Sequence, residues 1–187
     1  MRVIAGTARG RPLVAPRGAA TRPIADRVKE TLFAILGARV VDASVLDLYA
    51  GSGAIGIEAL SRGAVHCDFV EQDRRALLAI RENVRRAGVG DRASVHAADV
   101  GAYLGRLGAD RPGLVFLDPP YAERAILAPL ERIASHLAPG GAVVVKHHWR
   151  TSIPEPTGLS RWHERRFGET SLTFLVATEG ADGEEEP

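Results

Sequence analysis

The chain has 187 residues, of which 45% are hydrophobic, and a formal net charge of +1 at pH 7. This size and composition fit one domain with a substantial core, and the lack of a long apolar run excludes a membrane-spanning protein. The single cysteine, Cys67, excludes an internal disulfide, and the start MRVIAG lacks the apolar stretch of an export signal. We therefore expect a cytoplasmic protein.

The charges are unevenly distributed. Residues 1–41 carry eight basic and two acidic side chains, a net charge of +6, whereas residues 178–187 carry five acids and no base. A basic segment attracts a phosphate backbone, although a solvated arginine-rich surface would give the same pattern. The acidic end has no apolar periodicity, so we predict that residues 178–187 form a disordered tail.

The first forty residues predict a hairpin and a helix. The segments RVIAG and RPLVAP favour short strands on either side of a turn, and a proline begins the second, as suits an edge strand. The segment TRPIADRVKETLFAILG has apolar residues at helical spacing and ends at Gly37. Residues 1–41 are therefore predicted to form an extension in front of the main domain, residues 42–177.

From Ser44 onwards, short apolar segments alternate with amphipathic ones. The predicted strands are SVLDL, HCDFV, ASVHA, GLVFL and AVVVKHH. This alternation indicates right-handed β-α-β crossovers and a parallel sheet covered on both faces, which is a doubly wound α/β domain. The last two strands, SRWHERRF and SLTFLVA, are predicted to form an antiparallel hairpin at one edge, giving seven strands.

Ligands of such sheets bind beyond the carboxyl ends of the strands. The first core strand is followed by DLYAGSGAIG, in which Gly51, Gly53 and Gly56 have G-x-G-x-x-G spacing. The second strand ends at Glu71, where a carboxylate would bind ribose hydroxyls. The third is followed by Asp99. These positions predict a nucleoside-containing ligand.

The glycine spacing alone also fits an NAD-binding turn, which leaves an oxidoreductase as an alternative. Asp47 and Tyr49, however, interrupt the apolar run before Gly51, and an acid at that place suits a ligand with a cationic amino group and no phosphates. Asp99 could accept a hydrogen bond from an adenine amino group, with Val100 as an apolar neighbour of the ring. The combination predicts S-adenosylmethionine as the cofactor.

The predicted cofactor contacts all lie in the loops after the first three strands: Asp47, Tyr49, Ala50, Gly51, Gly53, Glu71, Gln72, Asp99 and Val100. Three of them have structural alternatives. Asp47 could cap the turn before the helix, and Glu71 could be a solvated acid. Asp99 could be the N-cap of the next helix, or could fill both roles.

The fourth strand ends in Asp118, Pro119, Pro120 and Tyr121, which we predict to be catalytic. The exocyclic amino group of a base is a poor nucleophile because its lone pair is delocalised into the ring. Asp118 and the carbonyl of Pro119 could accept its two N–H groups, while the prolines stiffen the loop and Tyr121 stacks on the base. A plain turn is the alternative. The histidines lack the spacing of metal ligands, so no metal is expected.

The motifs together resemble the bacterial RsmD family of methyltransferases, which modify the exocyclic N2 of one guanine in 16S ribosomal RNA. The resemblance lies in DLYAGSGAIGIEALSRGA, FVEQD, LDPPY, GTARGRPL, TRPIADRVKETLF and FGETSLTF, and it runs from about Arg2 to Val176. It implies the Rossmann-like, seven-stranded sheet of class I S-adenosylmethionine-dependent methyltransferases, with a small N-terminal hairpin and helix, and a target of the guanine 966 type.

The resemblance also implies partners. The basic extension would face 16S rRNA or a small-subunit assembly particle through Arg9, Arg11, Arg22, Pro23 and Arg27, and the protein would act as a monomer. The Asp-Pro-Pro-Tyr motif does not separate guanine N2 from adenine N6, so an adenine methyltransferase is a further alternative.

Two motifs depart from the family pattern. Lys146 stands where the family often has glutamate, and FGETSLTF varies the commoner Tyr-Gly-Asp-Thr form. His147, His148, Trp149 and Trp162 could contact RNA, but we expect them to pack, half-buried, at the end of the sheet.

Overall fold

The computed structural model describes residues 1–16, 25–108, 111–119 and 124–178, with residues 124–127 described by their backbone alone. The helices are α1 (Asp26–Leu36), α2 (Ala54–Ser61), α3 (Arg74–Ala87), α4 (Val100–Leu104) and α5 (Arg124–His136), with 3₁₀ turns at Gly37–Val40 and Gly90–Arg92. The strands are β1 (Ser44–Leu48), β2 (His66–Glu71), β3 (Ala93–Ala97), β4 (Leu114–Leu117), β5 (Ala142–His148), β6 (Leu159–Phe167) and β7 (Thr170–Ala177). Every strand predicted from Ser44 onwards is present, and a helix follows each of the first four. The acidic tail from residue 179 lies outside the described residues.

The seven strands form one sheet in the order β3-β2-β1-β4-β5-β7-β6. The first five strands are parallel, and β7 lies antiparallel between β5 and β6. The strand order reverses between β1 and β4, so the fold has its topological switch point there. The predicted α/β class and the C-terminal hairpin are both confirmed. No helix in the described ranges is long and apolar enough to cross a membrane.

Both faces of the sheet are covered by helices. Val45 and Phe116 belong to the core under α1, α2 and α3, whereas Leu46 and Val115 belong to the core under α4 and α5. Successive residues of a strand point to opposite faces, so a strand buried on both sides must be apolar throughout. This explains the uninterrupted apolar runs of the central strands.

The predicted N-terminal hairpin is an antiparallel loop with a single β-bridge, Arg2 to Pro12, in place of two regular strands. Regular strands do not form here because backbone amides of the loop bond to a side chain of α2. The amides of Ile4 and Ala5 donate to the carboxylate of Glu58 in α2, at 2.8 and 2.9 Å, and so are not available to a neighbouring strand. The extension is therefore bound to the main domain by side chains of α2.

Glu58 is the centre of this attachment. Its side chain is fully buried, as is that of Lys29 in α1, and the Lys29 ammonium donates to Glu58 at 3.2 Å and to the carbonyl of Arg2 at 2.6 Å. Arg62, one helical turn later, donates to the other carboxylate oxygen of Glu58 at 2.9 Å. Buried charges are tolerated when they are paired and hydrogen-bonded, as these are.

A second polar link joins the extension to the glycine-rich turn. The amide of Asn83 in α3 is buried, bonds both backbone groups of Val14, and donates to the carbonyl of Ser52 at 2.9 Å. Near the tip of the loop, Gly6 is held against the end of α2, where an added Cβ would lie 1.7 Å from the carbonyl oxygen of Ser61. Residues 1–16 are thus fixed at both ends.

We predict that Glu58→Ala lowers the free energy of unfolding by about 3–5 kcal/mol, because it leaves the Lys29 ammonium buried without its partner. Chemical denaturation followed by circular dichroism measures the change. Glu82→Ala, which removes a carboxylate paired at the surface of α3, is the matched control and should have a much smaller effect.

A double mutant tests whether the charge pair itself is responsible. Lys29→Met combined with Glu58→Ala should be less destabilised than the sum of the two single variants, by about 1 kcal/mol or more. Additive effects would contradict the argument, since they would mean that neither charge depends on the other.

Candidate active site

The register of the sheet brings the predicted site residues to one edge. The last residue of β1 is paired with the last of β4 and with the next-to-last of β2. The residues that come directly after these pairs, Tyr49, Asp118 and Glu71, therefore emerge at the same level beside the switch point. Lys146 in β5 is level with Asp118 by the same argument, because Leu117 is paired with Val145.

The glycine-rich turn after β1 has an unusual backbone. Gly53, the N-cap of α2, has φ of +72°, in the left-handed region where a side chain is strained. Gly56 is required for another reason, since an added Cβ would lie 2.4 Å from the ring of Phe69. Tyr49 also has a positive φ, +57°, which is uncommon outside glycine and recurs at functional sites. The sequence gives no signal for that strain.

Asp47 takes the capping role that was one of its two interpretations. Its side chain is buried, and Oδ2 accepts a hydrogen bond from the Gly56 amide at 3.0 Å, in the first turn of α2. Burial raises the pKa of Asp47 to about 8, and the charges of Asp118 and Glu71 act in the same direction. The carboxylate thus uses an amide that a pyrophosphate would otherwise bind. Its contact with a cationic ligand stays a prediction.

Glu71 braces the turn from the neighbouring strand. Oε2 accepts from the Gly51 amide at 2.9 Å, and Oε1 accepts from the amides of Gln72 and Asp73 at 2.8 and 2.9 Å. The side chain is only partly buried, so its remaining lone pairs are open to ribose hydroxyls. Gln72 is exposed beside it.

Asp99 is the N-cap of α4, and its Oδ1 accepts from the Ala102 amide at 3.0 Å. Burial raises the pKa of the Tyr49 phenol, and the charge of Asp99 adds to that rise. Asp99 therefore lies near the turn after β1. Val100 is buried directly behind it. The structure shows the capping half of the predicted double role, while contact with an adenine is still a prediction.

Asp118 forms an ion pair that the sequence did not reveal. Lys146 Nζ donates to Asp118 Oδ2 at 2.6 Å, and the two side chains are 21% and 39% exposed, respectively. Desolvation of the carboxylate by the surrounding protein raises the pKa of Asp118, whereas the charge and the hydrogen bond of Lys146 oppose that rise. Pro119 is buried next to it. The predicted catalytic residues Pro120 and Tyr121 lie outside the described residues.

The predicted RNA-binding arginines lie in two places. Arg39, just after α1, donates to the carbonyl of Gly140 at the amino end of β5. At the other end of α1, Asp26 pairs with Arg2, whose neighbour Met1 contacts Ser52 in the glycine-rich turn, so Arg27 lies towards the carboxyl edge of the sheet. Arg9 and Arg11 are exposed on the N-terminal loop. The tip of that loop bonds to Ser61 at the far end of α2, about 12 Å along the helix from the glycine turn. Arg22 and Pro23 lie outside the described residues.

A cavity of about 670 Å³ opens on the face of the sheet beside α4, lined among others by Asp68, His96, Tyr103 and Arg106. It contains none of the predicted cofactor residues. We assign the candidate site to the carboxyl edge instead, because four ionisable side chains from four strands or their ends converge there: Asp47, Glu71, Asp118 and Lys146. No group of three metal-ligating side chains occurs in the part of the chain that the structure describes.

The pKa of Asp47 predicts a pH dependence of stability. The folded protein keeps the Asp47 proton up to a pH of about 8, whereas the unfolded chain loses it near the ordinary value of 3.8. Stability is therefore lost as the pH rises through this window, by up to about 1.4 kcal/mol per pH unit. Relative to the wild type, Asp47→Asn should become progressively more stable between pH 5 and pH 7 (about 1.4 kcal/mol per unit at most).

Denaturant titrations of both proteins at pH 5, 6 and 7 check this expectation. Asp91→Asn, which removes an exposed carboxylate, serves as the control and should run parallel to the wild type. A constant difference between Asp47→Asn and the wild type across the three pH values would show that Asp47 is ionised throughout.

Comparisons with known proteins agree with this architecture. The family model described as conserved hypothetical protein 95 matches residues 1–176. YlbH of Bacillus subtilis, provisionally named an rRNA methyltransferase, is 39% identical over 179 residues, which are 93% of this chain and 97% of that protein. Ribosomal RNA small subunit methyltransferase D of Escherichia coli K12 is 32% identical over 187 residues, covering 98% and 92% of the two chains.

A solved structure supports the same conclusion. The Escherichia coli protein yhhF, provisionally titled a methyltransferase, superposes with a TM-score of 0.83 at 31% identity, over 95% of this chain and 97% of that one. The family model begins at residue 1, so it covers the N-terminal extension as well as the sheet. Together with the strand order, these matches show that the chain belongs to the RsmD family of S-adenosylmethionine-dependent methyltransferases.

Proposed function

We propose that the protein transfers a methyl group from S-adenosylmethionine to the exocyclic N2 of a guanine in 16S rRNA, of the guanine 966 type, during maturation of the small ribosomal subunit. The observation that carries this proposal is the Asp118 carboxylate, which lies at the switch point and is paired with Lys146 at 2.6 Å. The names of the relatives support an rRNA substrate. Such a substrate would place the protein in the cytoplasm.

The donor set at the carboxyl edge fits the cofactor. S-adenosylmethionine supplies an electrophilic methyl group on a sulfonium, together with an ammonium, a ribose and an adenine. Asp47, whose pKa is raised in the absence of a positive partner, would ionise next to the ammonium. Glu71 has lone pairs for the ribose, and Asp99 has a second carboxylate oxygen for the adenine.

Asp118 would act on the nucleophile. Its carboxylate can accept one N–H of the target amino group, and the carbonyl of Pro119 can accept the other. These two acceptors would draw the nitrogen towards a tetrahedral geometry and aim its lone pair at the methyl group. Lys146 occupies Oδ2 and favours the ionised form, which leaves Oδ1 as the acceptor for substrate. After the methyl transfer, the methylated nitrogen can lose its proton to Asp118 or to water.

The substrate would present an unstacked base. In a duplex the N2 amino group of guanine is held in the base stack and paired, so the target must be unpaired or flipped out before Asp118 and the carbonyl of Pro119 can accept its N–H groups. Arg27, on the end of α1 nearest to Asp118, would contact the RNA close to the target. Arg9 and Arg11 would contact it further away, and Arg22, Pro23 and Tyr121 complete the predicted substrate surface.

The identity of the product tests the proposal. With tritiated S-adenosylmethionine and small-subunit RNA or precursor particles from a strain without the enzyme, label should appear in RNA, and nucleoside analysis should give N2-methylguanosine. Methyladenine in RNA or DNA would establish the adenine alternative instead. Thermal stabilisation by NAD, with none by S-adenosylmethionine, would support the oxidoreductase alternative.

We predict that Asp118→Ala reduces kcat by about 100-fold or more, because it removes a preorganised acceptor from the reacting nitrogen. Calorimetric titration with S-adenosylhomocysteine should show that cofactor affinity is retained. Full activity of the variant would remove Asp118 from the mechanism.

We also predict that Lys146→Met moves the acidic limb of the kcat profile to higher pH. Without Lys146, burial raises the pKa of Asp118 unopposed, so a smaller fraction of the carboxylate is ionised at neutral pH. Lys146→Arg, which keeps the charge, should leave the limb near its wild-type position. A profile that does not move in Lys146→Met would contradict the assigned role of the ion pair.

A further inference from the structure

Two arginines stack on one tryptophan just past the end of β5. The guanidinium carbon of Arg166 lies 3.9 Å from the centre of the Trp149 ring, and that of Arg150 lies 4.8 Å from it. Trp149 is 36% exposed. Stacking on an aromatic ring holds a guanidinium in a fixed plane and leaves its N–H edge open. We call these three residues the arginine–tryptophan stack.

The backbone around the stack fixes its position. The Trp149 amide donates to the carbonyl of Glu169 at 3.0 Å, and Arg166 Nε donates to the carbonyl of Gly168 at 2.7 Å. Both acceptors belong to the turn between β6 and β7, which lies at the carboxyl edge because β7 begins opposite the end of β5. The stack therefore lies on the edge that carries Asp118. Trp149 is three residues beyond Lys146, at most about 10 Å along an extended chain.

Both arginines of the stack are exposed to solvent. Among the residues that the structure describes, no acid forms an ion pair with Arg150 or Arg166. Arg161, on the same hairpin, is paired with Glu155 and Glu164. Glu169 is exposed on the adjoining turn, and it meets the stack through its backbone carbonyl. An arginine pair that is oriented and exposed is suited to phosphate oxygens.

We propose that the arginine–tryptophan stack binds phosphates of the RNA strand next to the target nucleotide. This inference rests on the proposed function, and it adds a second RNA-contacting surface, on the β6–β7 side of the site, to the basic extension on the α1 side. Trp149 is a positioning residue that holds both guanidinium groups towards the strand. The stack would keep the RNA backbone in register while the target base occupies the site at Asp118.

Salt dependence of RNA binding tests the stack directly. Each phosphate contact adds about 0.7–0.9 to the slope of log K against log salt concentration. Arg150→Ala and Arg166→Ala should each lower that slope by this amount, so the ratio of Kd at 200 mM salt to Kd at 50 mM salt falls about 2.5- to 3.5-fold. The probe is a 16S rRNA transcript in a filter-binding assay, repeated with small-subunit precursor particles.

Two matched controls separate the stack from general charge and from general packing. Arg81→Ala removes an exposed arginine from α3, on the opposite half of the sheet, and should leave the slope unchanged. Trp149→Ala removes no charge yet should weaken binding, because both guanidinium groups lose their support. Trp162 is a tryptophan of similar exposure, and the guanidinium carbon of Arg39 lies 5.3 Å from the centre of its ring, but this pair is near the amino edge of the sheet. Trp162→Ala should therefore leave RNA binding unchanged.

The outcomes distinguish the two proposals. If Arg150→Ala and Arg166→Ala both give the slope of Arg81→Ala, with transcript and with particles, the stack does not bind phosphate and this inference is wrong. The same holds if the wild type binds neither probe. If the slopes change as expected but the wild type methylates no guanine, the proposed reaction fails while the RNA-binding surface stands. Thermal melting confirms that each variant is folded.

Discussion

The candidate site depends on one constraint, the parallel register of β1, β2, β4 and β5. β1, β2 and β4 end within a residue of one another, and Val145 of β5 is paired with the last residue of β4. The side chains at the next position of each strand therefore meet at one level, although they are up to about a hundred positions apart in sequence. A shift of one residue in any pairing would turn that strand's terminal side chain to the other face. The two apolar cores, which require alternate residues on both faces, fix the register and with it the site.

The electrostatics of this edge follow from its crowding. Burial raises the pKa of Asp47, and the nearby negative charges of Asp118 and Glu71 add to that rise. Lys146 offsets part of that charge at Asp118. A site with excess, partly protonated carboxylate favours a cationic ligand over an anionic one, which is the distinction between S-adenosylmethionine and a dinucleotide. The residue types alone suggested this choice, and their burial gives it a physical cause.

The sequence was sufficient for most of the fold and for the location of the site. Hydrophobic periodicity predicted the strands and helices, and the rule for carboxyl ends then selected Asp47, Glu71 and Asp118. It was not sufficient for contacts between distant segments. The Lys146–Asp118 pair forms because β4 and β5 are neighbours in the sheet. The position of the N-terminal loop depends on Glu58, a single acidic residue in an apolar helix, which could have had several partners. Periodicity carries no information about either.

The attachment of the N-terminal loop to α2 has a consequence for how proteins of this kind diversify. Its backbone amides and the α1 lysine share one buried glutamate, so the extension cannot be exchanged for another recognition element as an independent cassette. Any replacement would have to bring its own partner for Glu58 or change α2 as well. New RNA specificity is therefore easier to acquire by altering exposed side chains on the existing scaffold than by recombining modules.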